Sequence, residues 1–152
     1  MHAHPSQYSA AYPGAKRRCR TSPDWHRQNS GLPDHAVSTF IELTTARGSQ
    51  TGPKSPLHGI PYGAKDIFDT AGIRTAAGSK IWADRVPDAD SAPVAIVQRA
   101  GAVLMGKAHT TEFAAGDPAP SKNPWNAAHT PGGSSTGSGV AVASRMVPWA
   151  FG

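Results

Sequence analysis

The run Thr130-Pro131-Gly132-Gly133-Ser134-Ser135-Thr136-Gly137-Ser138-Gly139 gathers hydroxyl groups on a backbone that glycine leaves open to close approach. Glycine adds no buried surface and costs backbone entropy when ordered, so such a stretch is either loose or functional. The residues that follow, Val140-Ala141-Val142-Ala143-Ser144-Arg145-Met146-Val147, return at once to compact apolar chain, which anchors the loop against a core. Three readings compete for it. A phosphate cradle needs a lysine followed by Ser or Thr at the end of the loop, and Gly139-Val140 stands there instead. A flexible linker accounts for the composition but not for the anchoring. A hydroxyl held where backbone can come close to a reacting group, as serine nucleophile chemistry requires, accounts for both.

A serine hydroxyl needs a base at neutral pH, and the candidate lies upstream. In Gly59-Ile60-Pro61-Tyr62-Gly63-Ala64-Lys65-Asp66-Ile67-Phe68-Asp69, Lys65 ends a short apolar run that reads as a buried strand. Burial disfavours the ammonium form and turns a lysine into a base. The plainer alternative is a surface lysine paired with Asp66 or Asp69.

Taken together, the motifs along residues 57 to 152 resemble the amidase signature family. The resembling residues are Gly59-Ile60-Pro61 through Lys65-Asp66, then Ala71-Gly72-Ile73-Arg74-Thr75-Ala76-Ala77-Gly78-Ser79, Gly106-Lys107 with Glu112-Phe113-Ala114, Asn123-Pro124-Trp125-Asn126, and Pro131-Gly132-Gly133-Ser134-Ser135. The series, in the family's order and near its spacing, carries the match more than any one motif. The resemblance implies a Ser, cis-Ser, Lys triad, in which an unprotonated lysine relays a proton through a bridging serine on a cis peptide to a nucleophilic serine that attacks an amide carbonyl. Lys65 matches the lysine and Ser134 the bridging serine, both catalytic. Gly132, Gly133 and Ser135 are the expected substrate-binding residues, with Ser135 a loop hydrogen-bonder. The implied fold is α/β, the N-terminal and incomplete part of a mixed sheet sandwiched between helices.

In that family the chain continues past the equivalent of Val147-Pro148-Trp149-Ala150-Phe151-Gly152 into a second glycine-rich turn. That turn carries the nucleophile and the oxyanion-hole N–H groups. The expectation is therefore an amidase-type hydrolase of carbon-nitrogen bonds that stops short of its nucleophilic serine and is inactive alone. Two other readings stand beside it: the A subunit of a tRNA-dependent glutaminyl/asparaginyl amidotransferase, and a noncatalytic remnant or binding fragment. The expected partners are a small-molecule amide and a complementing chain, with no cofactor and no metal.

Composition bounds these readings. Hydrophobic residues make up 38% of the 152, while Gly (16) and Pro (14) are abundant, so the chain is poorly supplied for a large core. The net charge of +5 resides mainly in residues 1–54, at +4, whereas residues 55–152 carry +1. The cluster Lys16-Arg17-Arg18-Cys19-Arg20 reads as a solvated, loosely ordered tail rather than a nucleic-acid contact, which divides the chain into a basic segment (1–54) and a partial domain (55–152). No stretch has the apolar length of a signal peptide core or a membrane span. The single cysteine, Cys19, allows no internal disulfide and suits a reducing cytoplasm. The seven histidines show no metal-ligand spacing.

The elements that must position the chemistry follow from punctuation. Val37 to Arg47 is a short strand or helix. The Lys65 strand comes next, then a turn at Ala71-Gly72, and then a helix capped by Asp90 or Ser91 that runs through Ala100 to a stop at Gly101. A buried strand over Ala102–Met105 completes a strand-helix-strand unit. A helix over Ser138–Met146 follows the Gly/Ser loop and leads to an apolar strand at Val147–Phe151.

Overall fold

The computed structural model of the protein describes residues 39–47 and 55–152. The basic cluster around Cys19 and the connection over 48–54 lie outside the described residues. Strand β1 (Phe40–Arg47) pairs antiparallel with β3 (Val103–Ala108), β3 pairs parallel with β2 (Pro61–Lys65), and β2 pairs parallel with β4 (Ala150–Phe151). The resulting mixed sheet has the order β1-β3-β2-β4. β1 lies N-terminal to the boundary drawn from charge at residue 54, and its backbone is part of the sheet.

The parallel pair β2 and β3 forms because a helix, α1 (Ala92–Arg99), carries the chain back between them. Ser91 occupies the N-cap position in an extended conformation, with Pro93 in the first turn, but its hydroxyl makes no capping bond. The carboxylate of Asp90 is used elsewhere, accepting from the Ala71 N–H at 2.7 Å. Gly101, at φ +82°, stops the helix as expected.

Alternation along the central strands separates two cores. On one face Tyr62, Ala64, Ala102 and Leu104 form a buried cluster that Val97 of α1, Ile73, Trp149 and Phe151 cover. On the other face Met105, Ala141 and Val147 pack with Phe40, Val103 and Ala150, beneath a second helix, α2 (Thr136–Ala143). Burying Leu104 and Val94 completely contributes about 1.5–3 kcal/mol each. The Tyr62 ring stacks on Trp149 and Phe151, with centroids 5.0 and 5.5 Å away, and fixes β4 at the edge of β2.

Three boundaries differ from the sequence reading. β3 runs to Ala108 because Gly106 and Lys107 continue the pairing with β2, and a lysine in a strand gives no hydrophobic signal that the strand goes on. α2 begins at Thr136, inside the glycine-rich run, and ends at Ala143. β4 is confined to Ala150–Phe151, because Val147 joins the core beneath α2 and Pro148 has no N–H to give to a ladder.

Candidate active site

Lys65 is the last residue of β2, opposite Ala108 of β3, and is only 4% exposed. Its Nζ lies 2.7 Å from Ser134 Oγ and 2.9 Å from Ser135 Oγ. The strand therefore delivers the amine, and the loop before α2 delivers two hydroxyls, although 69 positions separate Lys65 from Ser134.

The loop is fixed from both ends. The Thr111 N–H donates to the Ser134 carbonyl at 3.1 Å, and the Gly137 N–H donates to the His109 carbonyl at 2.9 Å, so the segment after β3 holds both sides of the serine pair. Thr136 Oγ1 reaches back to the Gly132 carbonyl at 3.1 Å. The Gly133–Ser134 peptide is cis, at the position the resemblance implied. Gly137 packs so closely on the end of β3 that a methyl group there would collide with the backbone of His109 and Thr39.

Desolvation lowers the Lys65 amine below the ordinary lysine value. Neither neighbouring carboxylate is its partner, which removes the surface-pair alternative. Asp66, fully buried, accepts from Lys107 Nζ at 3.2 Å and from the Ala76 N–H at 3.0 Å. Asp69 forms two bonds to Arg85, of 2.6 and 2.7 Å, and the guanidinium holds its carboxyl below the usual range while lying 4.8 Å from the Trp82 ring centre. At 2.7 Å the contact between Lys65 and Ser134 suits either direction of proton sharing: an ammonium donates to the hydroxyl, and a neutral amine accepts from it.

The expected substrate-binding residues separate in space. Ser135 borders a cavity of about 560 Å³, together with Trp125, Pro131, Ser138, Val142 and Gly152. Gly132 and Gly133 are exposed and do not line it. Gly152 packs against Ser135, where an added methyl carbon would lie 2.5 Å from Oγ and 3.3 Å from Lys65 Cδ. The sequence reading missed this contact, the Thr111 anchor and the buried Asp66–Lys107 pair. The Gly106-Lys107 motif was visible, but without the strand register nothing connected it to Asp66. Among the described residues no three His, Cys, Asp or Glu side chains gather as metal ligands, and no helix is long and apolar enough to cross a membrane.

The Amidase family profile matches residues 29–152. The chain belongs to the amidase family. Over 135 residues it is 48% identical to the A subunit of glutamyl-tRNA(Gln) amidotransferase from Methylococcus capsulatus, covering 78% of this chain and 28% of that protein. The crystal structure of the corresponding glutamyl-tRNA(Gln) amidotransferase A subunit from Thermotoga maritima superposes with a TM-score of 0.69 at 33% identity, over 86% of this chain and 30% of that one. A 6-aminohexanoate cyclic dimer hydrolase, solved with its substrate, superposes with a TM-score of 0.73 at 26% identity, over 99% of this chain and 33% of that one. The amidase chain thus spans about a third or less of the length of these relatives, and its α/β fold matches part of theirs.

Proposed function

We propose that this amidase-family chain carries the base and the proton relay of a serine amidase that hydrolyses carbon-nitrogen bonds through an acyl-serine intermediate. The observation that supports the reading most is the buried Lys65 amine 2.7 Å from Ser134 Oγ, with no carboxylate bonded to it among the described residues. In the proposed sequence Lys65 Nζ takes the Ser134 proton while Ser134 takes the proton of the attacking serine, so the charge that develops is an ammonium next to two hydroxyls. Ser135 holds the amine in line, and the loop from Gly132 to Ser135 faces the substrate. Residues 55–152, together with β1 from the preceding basic segment, form the core of the catalytic unit. The attacking serine and the oxyanion hole come from sequence beyond residue 152, on a longer polypeptide or a complementing chain in the cytoplasm.

A second reading, the A subunit of an amidotransferase, rests on the 48% identity to that protein of Methylococcus capsulatus. Glutaminase activity in the assembled protein distinguishes it from a hydrolase of other amides. The test of the main reading is labelling with a fluorophosphonate serine probe, for the chain alone and after addition of a C-terminal fragment of a full-length relative. Labelling of the added fragment that requires Lys65 and Ser134 supports the reading. Labelling that survives Lys65→Arg or Ser134→Ala contradicts it.

A further inference from the structure

The pair formed by Lys107 and Asp66 has no part in the proposed proton relay, yet it is the most deeply buried charge pair among the described residues, at 0% and 1% side-chain exposure. Each of its members is adjacent in sequence to one residue of the Lys65–Ala108 register pair. Lys65 is paired in register with Ala108, and Ala64 with Lys107, so pleat alternation turns the Lys65 and Lys107 side chains to opposite faces of the sheet. Asp66, the residue after Lys65, turns to the Lys107 face. Its carboxylate accepts from Lys107 Nζ at 3.2 Å and from the Ala76 N–H at 3.0 Å. Its backbone is fixed as well, by Asp66 N–H to the Ala108 carbonyl at 2.8 Å and Ala77 N–H to its own carbonyl at 3.0 Å. Lys107 also donates to Thr75 Oγ1 at 2.6 Å.

Consider the site without Lys107. A buried carboxylate one residue from a buried amine would favour the ammonium form of that amine and undo its use as a base. Lys107 supplies the compensating charge from the other face. We propose that Lys107 is a positioning residue that sequesters the Asp66 carboxylate from Lys65 and so keeps the Lys65 amine available as a base. The inference rests on the reading of Lys65 as the base. The remaining groups that face the Lys65 amine among the described residues are the uncharged Ser134 and Ser135 from the loop, with Gly152 after β4 packed beside Ser135. Desolvation lowers the Lys65 amine, and it lowers the Lys107 amine as well, there against the opposing pull of the Asp66 carboxylate.

The test is an NMR titration of the lysine side chains in the full 152-residue chain, with Lys65→Arg used to assign the Lys65 signal. Lys107→Gln keeps a donor for Asp66 and Thr75 and removes the charge. The expected result is a rise in the Lys65 midpoint of about one pH unit or more, and a return to the wild-type midpoint in Asp66→Asn/Lys107→Gln. If Lys107→Gln does not fold, the double variant, which buries no charge, carries the test alone, because a network that only braces the strand would let its Lys65 midpoint drift upward. An unchanged Lys65 midpoint in folded Lys107→Gln, or a raised one in the double variant, overturns the proposal. A wild-type Lys65 that titrates like an exposed lysine instead overturns the base assignment itself, so the two failures are separable.

Discussion

At the scale of single residues, the proposed base is an amine whose value burial lowers from 10.5, an effect of its environment and not of its type. Lys65→Arg keeps a cation of similar reach that does not deprotonate, so turnover in the assembled enzyme is expected to fall by about 10²–10⁴-fold while circular dichroism stays that of the wild type. The pH dependence follows from the direction of the shift. Because the Lys65 value is lowered from 10.5, kcat/KM is expected to climb as the amine deprotonates and to level off at a pH below 10.5. Stability has the same sign. Between the folded and unfolded values the unfolded chain binds more protons, so the cost of burying Lys65 is complete below its folded value and vanishes as pH rises to 10.5. Lys65→Met removes that dependence, and the difference between its urea midpoint and the wild-type one should shrink as pH is raised toward 10.5. That Lys65 and Ser134 would meet was legible in sequence because each is marked locally, by a buried strand end and a glycine-rich run. The place of Lys107 was not, since its meaning lies in a contact across 41 positions that only the strand register creates.

At the scale of elements, the geometry depends on how the end of β3 and the segment after it hold two structures at once. Through His109 and Thr111 they grip the loop that carries Ser134, and through Lys107 they grip the residue after Lys65. Lys107→Met leaves Asp66 buried without a countercharge, and chemical denaturation is expected to show a loss of about 3–5 kcal/mol, most of it recovered in Asp66→Asn/Lys107→Met. Gly137→Ala would force α2 away from β3, with an expected loss of about 1–3 kcal/mol and a displaced serine loop, visible as a changed Lys65 signal in the same sample. The strand-helix-strand unit was legible because apolar runs, a proline-led helix start and Gly101 all point the same way. The start of α2 was not, since Thr136 and Gly137 look like loop and become helical only because His109 supplies an acceptor for the Gly137 N–H.

At the scale of the whole molecule, β1 and β4 form the two edges of a four-stranded sheet. Ile81, Val86, Ile96 and Trp125 are more than half exposed on the described surface. Sheet edges left unpaired among the described residues favour association, so the chain alone is expected to show a molecular mass that rises with concentration in light scattering, and a monodisperse complex once a complementing fragment is bound. A division by charge at residue 54 leaves β1 on the side of the tail, although its backbone pairs with β3, because net charge does not report strand pairing. Every functional statement returns to the protonation of one buried amine. The ¹⁵Nζ titration of Lys65 in the wild-type chain measures it directly. A midpoint clearly below the ordinary lysine value of 10.5 is the predicted result, and a midpoint at or above 10.5 would contradict the base assignment.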